Sequence, residues 1–167
     1  MKKSIWFLIS VSVILCSISV FIPSCKKERI LSQEYIFPER QWCADKFATF
    51  TFDVPKDYVG RKFDMFLEIT HTPDIRRNSI KMDITSYSPL DERSVEFNVF
   101  LKGADGRFKG RAEGNLLHFN HKLRNQFVFG AAETWNFEII QRSELFYFEG
   151  LISMRLVFRE NLEKTKK

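Results

Sequence analysis

KFDMFLEIT, residues 62–70, alternates. Phe63, Met65, Leu67 and Ile69 occupy one phase of a two-residue period, and Asp64, Phe66 and Glu68 the other. A helix would need apolar residues three and four apart, whereas strict alternation describes a strand with one buried face. The same period recurs on both sides. Upstream, FATFTFDV (47–54) sets Phe50, Phe52 and Val54 against Thr49, Thr51 and Asp53. Downstream, SIKMDITSY (79–87), SVEFNVFLKG (94–103), ETWNFEIIQ (133–141) and LISMRLVFRE (151–160) repeat the pattern. Turn formers lie between these runs: Pro55 and Asp57, Pro73 and Asp74, Pro89, and Gly103 to Gly106. RFKGRAEG (107–114) reads as a further strand-like stretch that Gly110 and Gly114 bend. A first strand or extended arm is expected near 35–37, and one helical turn at 141–145.

Strands with one apolar face each need a second sheet to cover them. The pattern therefore predicts an all-β fold, an antiparallel β-sandwich of about eight strands, jelly-roll or immunoglobulin-like in kind. A closed barrel is the alternative. Two phenylalanines break the rule. Phe66 sits beside Glu68 and Phe100 beside Asn98, on the polar faces of their strands. Either loops or edge strands cover them, or they form a partner surface.

The N-terminus has a different grammar. Lys2 and Lys3 precede an uncharged apolar run from Ile5 to Ile22, which Pro23 and Ser24 end. This is the layout of a signal peptide, although the run is also long enough to span a bilayer. Ser24 is small and precedes Cys25, and the stretch Ile22 to Cys25 resembles a bacterial lipobox. That resemblance implies cleavage after residue 24 and acylation of Cys25, with an uncleaved anchor or plain secretion as the alternatives. Lys26, Lys27 and Arg29 just beyond disfavour an anchor whose N-terminus stays in the cytoplasm. The expected organisation is a signal peptide at 1–24, a lipidated tether at 25–40, the sandwich at 41–160 and a polar tail at 161–167.

Cleavage leaves 143 of the 167 residues, enough for one domain with its own core. It removes two lysines, so the net charge falls from +5 to +3. That charge is small and interleaved with acids, which argues against nucleic acid as a partner. With Cys25 acylated, Cys43 is the one remaining thiol, and a structural thiol is a simpler reading than a nucleophile. His118 and His121 in HFNH could converge on a metal from a turn, but in a strand they face opposite ways. His71 to Asp74, HTPD, reads as a turn. No nucleophile elbow, phosphate loop or dinucleotide fingerprint is present. No catalytic residue, metal site or cofactor is assigned.

Order and spacing of the weaker motifs resemble the gliding-motility-associated lipoprotein family GldH of the Bacteroidetes. The likeness runs from Trp42 through FATFTFDVPKDYVGRKFDMFLEITHTPDIRRNSIKMDI. It continues in GADGRFKGRAEG, with Gly106, Phe108, Gly110 and Gly114 at matching positions, and in the closing run FVFGAAETWNFEIIQRSELFYFEGLISMRLVF. His71 stands where the family often has arginine, and Phe108 where it more often has tryptophan. The resemblance implies a non-enzymatic accessory lipoprotein of the gliding and cell-envelope machinery, acting on envelope proteins. Only the lipidated Cys25 carries over as a site residue. Lys26, Lys27 and Glu28 lack an acidic export cluster, so the periplasmic face of the outer membrane is the expected location. A carbohydrate- or peptidoglycan-binding sandwich is the runner-up, with Trp42 or Tyr87 as aromatic platforms.

Overall fold

A computed structural model describes residues 28–89 and 91–162. The stretch read as a signal peptide, Cys25 and most of the C-terminal tail lie outside them. Eight longer strands carry the fold: β1 Ile30–Ile36, β3 Ala48–Asp53, β4 Lys62–His71, β5 Ser79–Tyr87, β6 Glu92–Phe100, β8 Leu116–Val128, β9 Thr134–Gln141 and β11 Leu151–Glu160. Three strands of three residues supplement them: β2 Gln41–Cys43, β7 Arg111–Glu113 and β10 Tyr147–Glu149. No helix among the described residues is long and apolar enough to cross a membrane.

All strand pairs are antiparallel. One sheet runs β1-β11-β4-β8-β7, the second β3-β9-β5-β6, and β10 pairs with β2 as a small third ribbon. The two large sheets face each other as a sandwich, not as a closed barrel. The alternation read from the sequence decides which residues enter the core. Phe63, Met65, Leu67 and Ile69 of β4 are all buried, as are Phe50 and Phe52 of β3 and Ile80, Met82 and Ile84 of β5. Phe158 of β11 sits at the centre, its ring 5.4 Å from Phe52, 5.1 Å from Phe127, 5.0 Å from Phe129 and 5.2 Å from Phe137. Burying each such ring contributes roughly 1.5–3 kcal/mol, and the tilted and edge-on geometries add to it.

Three elements differ from expectation. The sheet starts at Ile30, within the stretch read as tether, because β1 pairs in full register with β11 from Ile30↔Arg159 to Ile36↔Ser153. Its start is tied down by Arg29, which donates to Asp57 (2.9 Å) and to Glu160 (3.0 Å). The longest strand, β8, was not legible as one, since its register against β4 shifts around Met65 and Gln126 takes a positive φ of 54°. Finally, residues 141–145 form no helical turn: Gln141 ends β9 and the chain beyond is an irregular loop.

Candidate functional site

Gln141 organises that loop with its side chain. It is buried at the end of β9, and its Nε2 donates to the carbonyl oxygens of Trp42 (3.2 Å), Leu145 (3.1 Å) and Phe146 (3.4 Å). Its Oε1 accepts from the backbone N–H of Ser143 (3.3 Å) and from the Ser143 hydroxyl. One amide thus does what helical backbone bonds would have done, satisfying buried carbonyls while leaving the loop open. The Ala44 N–H donates to the Phe146 carbonyl (2.8 Å) and fixes the far side.

The effect is to hold three apolar side chains in solvent. Leu145 is exposed, Phe146 is 57% exposed and Tyr147 is 49% exposed, with the two rings edge to face at 4.8 Å. Beside them runs the β4–β5 loop. Gly150 brings the two together: its φ of 90° and its contact with Ile75 leave no space for a side chain, since a Cβ would lie 2.6 Å from Ile75 Cγ1. The Thr72 N–H donates to the Gly150 carbonyl (2.9 Å), and the Thr72 hydroxyl donates to Asp74. That hydroxyl holds the Asp74 carboxyl below its usual range. Arg76 and Arg77 project from this loop, and neither has an ion pair among the described residues. They line a cavity of about 540 Å³ shared with Leu145 and Tyr147, and a second of about 370 Å³ shared with Lys81 and Arg142. Exposed aromatics beside unpaired guanidiniums are what protein interfaces concentrate at their centres.

The residues singled out from sequence lie elsewhere. Phe66 is on the outer face of the five-stranded sheet, over Val157, with Lys122 Nζ 5.3 Å and the Arg159 guanidinium 5.1 Å from its ring. Phe100 is 52% exposed on the outer face of the other sheet, with Lys109 Nζ 5.9 Å from its ring. The two rings therefore do not share a surface. Trp42, read as a possible platform, is 1% exposed; its indole N–H donates to the Lys46 carbonyl (2.9 Å) and its ring lies 5.2 Å from Phe37. Tyr87 is half-buried and donates to Glu138 (3.1 Å). Cys43 is half-buried, and its hydrogen bond with Asp45 raises the thiol above its ordinary range.

The histidines sit apart. His118 faces outward on β8 beside Thr70 (3.2 Å), while His121 is half-buried on the opposite face, where burial lowers its pKa. His71 is fully buried at the end of β4. Its Nδ1–H donates to the Thr72 carbonyl (2.8 Å), which leaves Nε2 as a lone pair with no partner among the described residues. Phe108 covers the ring at 5.1 Å, and burial pushes the pKa down. No group of three or more His, Cys, Asp or Glu among the described residues is placed to hold a metal ion.

The loop at 142–146 carried a signal that alternation could not use. ELFYFEG has four consecutive apolar residues, and a two-residue period can bury only every second one. Phe148 goes inside, and Phe146 and Tyr147 stay out.

No protein-family model matches the chain, and no curated protein matches it. Among solved structures it is similar to the mitogen derived from Yersinia pseudotuberculosis, at 7% identity over 84% of this chain and 92% of that one, with a TM-score of 0.35. It is also similar to dimeric latent PorU from Porphyromonas gingivalis, at 10% identity over 81% of this chain and 13% of that one, again with a TM-score of 0.35. Both likenesses are too distant to bear on function.

Proposed function

We propose that this chain is a non-enzymatic lipoprotein, anchored through Cys25 to the periplasmic face of the outer membrane, that holds protein partners in a cell-envelope assembly. The resemblance to the gliding-motility lipoproteins makes that assembly the gliding machinery. The observation that carries the binding role is the loop of Leu145, Phe146 and Tyr147 beside Arg76 and Arg77, which the buried Gln141 holds open to solvent. A domain that needed none of these side chains for contact would expose fewer of them together.

Three experiments test this reading. Labelling with a fatty-acid analogue should mark the wild-type chain and not Cys25→Ser, and the variant should leave the membrane fraction; a labelled or membrane-bound Cys25→Ser refutes the anchor. Crosslinking in native envelopes should capture defined partners, and the double variants Phe146→Ser/Tyr147→Ser and Arg76→Glu/Arg77→Glu should lose them at least tenfold while retaining the wild-type melting temperature. Unchanged capture by both folded variants refutes the surface. Protease applied to intact cells should leave the chain uncut; efficient degradation would place it outside.

A second reading has its own support. On the outer face of the five-stranded sheet, Glu34, Glu68, Thr70, His118, Asn120 and Arg155 line a depression of about 530 Å³. Arg155 bonds Glu34 (3.2 Å) and Glu68 (3.5 Å), and the Ser153 hydroxyl and then Arg155 hold the Glu34 carboxyl below its usual range. Polar groups in such a row suit sugar hydroxyls, with Phe66 adjacent. Binding in a glycan array that Asn120→Ala and Glu68→Ala abolish would favour this carbohydrate reading.

A further inference from the structure

The two flanks of the sandwich are built differently. On one, the sheets are stitched together: the Thr51 N–H of β3 donates to Gln33 of β1, and the Tyr35 ring lies 6.5 Å from Phe50. On the other, β6 ends the four-stranded sheet with β5 as its hydrogen-bonded neighbour, and β8 with the short β7 ends the facing one. Here the sheets splay. Val95 lies opposite the buried Ile84 and so points inward, yet it is 47% exposed. Val95 and Phe97 look across a crevice at Met65 and Phe127 of the facing sheet. The crevice continues into a cavity of about 340 Å³ between Arg93, Arg124, Phe127 and Trp135.

The backbone along this opening is available. The Leu101 N–H donates to the Asn78 carbonyl of the β5 side (2.8 Å), so alternation turns the N–H groups of Val95, Phe97 and Val99 toward β5. Those of Ser94, Glu96 and Asn98 then point to the open edge. β6 is nine residues long, with no proline, no lysine and no register shift along it, and its one inward charge, Arg93, stands near its start and is paired with Asp91 (2.6 Å). Two of its outward side chains, Glu92 and Glu96, are acidic. Glu92 and Glu96 have no ion pair among the described residues. Glu96 stands directly opposite Asp83, whose own cation, Arg142, is already engaged at 2.6 Å.

We infer that the free edge of β6 receives an extended strand of a partner protein in which apolar residues alternate with Lys or Arg. This rests on the reading of the domain as a holder of protein partners. The added strand completes the ladder with main-chain bonds, places its apolar residues over Val95 and Phe97 in the crevice, and sets its cations against Glu92 and Glu96. Val95 and Phe97 inside and Glu92 and Glu96 outside select the alternation and the charge of the incoming segment, while the main-chain bonds supply affinity.

The test uses the full chain in nonionic detergent and three nine-residue peptides: alternating Val and Lys, alternating Val and Glu, and a Val block followed by a Lys block. Residue-resolved hydrogen exchange reads the amides of Ser94, Glu96 and Asn98. The alternating Val/Lys peptide should slow them at least tenfold, and the other two should slow them much less. Ser94→Pro removes one outward N–H without touching the β5 ladder, and it should abolish the protection while the chain stays folded. Glu92→Lys/Glu96→Lys should reverse the preference between the two alternating peptides. No slowing, or equal slowing by all three peptides, overturns the proposal. So does protection that grows with protein concentration in the absence of peptide, since the edge would then pair with a second copy. Phe146→Ser separates this from the wider reading. If envelope partners are captured through Phe146 and Ser94→Pro changes nothing, the holding role stands and strand addition falls. If the peptide protects β6 and Ser94→Pro also weakens partner capture, both stand.

Discussion

Replacing Gln141 tests the claim that one buried amide builds the aromatic loop. In Gln141→Ala the carbonyl oxygens of Trp42 and Leu145 lose donors at 3.2 and 3.1 Å, Phe146 loses a longer one, and Ser143 loses its acceptor. Each net bond contributes roughly 0.5–1.5 kcal/mol, and the buried Trp42 carbonyl adds a desolvation cost, for a total of about 3 kcal/mol. For a domain of this size that lowers the melting temperature by about 9 °C. Gln141→Glu is the sharper variant. It has the same shape but, when ionised, only acceptors, so it faces the carbonyls of Trp42, Leu145 and Phe146 with a carboxylate. At pH 7 it should be less stable than Gln141→Ala. It should recover below about pH 4.5, where the protonated carboxyl regains one donor. Thermal unfolding by circular dichroism across pH 4 to 8 reads both, and hydrogen exchange at residues 143–147 should quicken in step. A Gln141→Glu protein that melts with the wild type at pH 7 refutes the argument.

Other expectations follow from the same reasoning. Burial pushes the Glu160 carboxyl up, but hydrogen bonds from Arg29 and Arg61 outweigh it and hold the group below its usual range. Its stabilisation is present above the unfolded carboxylate value and is lost as pH falls through the lower folded one, so Glu160→Gln should melt a few degrees lower at pH 7 and show a flatter acid limb. Gly110 has a φ of 97° and a Cβ there would lie 2.3 Å from the His118 carbonyl oxygen, so Gly110→Ala should cost about 3 kcal/mol in chemical denaturation. Gly106→Ala, with a φ of 76° and open space around it, should cost about 1 kcal/mol. His71 is held neutral by burial, so the unfolded chain binds its proton more readily and stability should fall as pH drops below about 6.5. His71→Phe should flatten that fall in urea titrations, leaving the part due to His121, whose pKa burial also lowers.

The core was legible wherever a strand keeps its period. β3, β4, β5, β9 and β11 were marked by inward residues that the structure buries, and the count of about eight long strands came with them. β8 escaped because its bulges change phase and a half-buried histidine, His121, stands on its inner side. β1 was expected only near its end, at 35–37: as an edge strand with mostly exposed side chains it has no apolar face to announce its start at Ile30. The candidate site was hidden by the rule that found the core. Trp42 looks like a platform only until Phe37 and the Lys46 carbonyl are seen to enclose it. The exposed aromatics lie in a run that resembles core, and only the Gln141 bonds reveal that the chain beyond β9 is held outward.

The clamp at Arg29 has a consequence for posture. With lipid on Cys25 as proposed, four peptide units separate the anchor from a residue fixed to Asp57 and Glu160, a reach of at most about 15 Å. A leash that short does not let the domain roam; the end that carries Arg29 and Glu160 must rest near the lipid headgroups. β11 runs from that end through its ten residues, a length of about 33 Å. Phe146, Tyr147, Arg76 and Arg77 crown the top, and the open edge of β6 runs up the side like a vertical seam. Anchored in this way, the domain would offer one proposed surface at its far end and the other along its flank, and lengthening the leash by a few residues would blur both without altering a single contact.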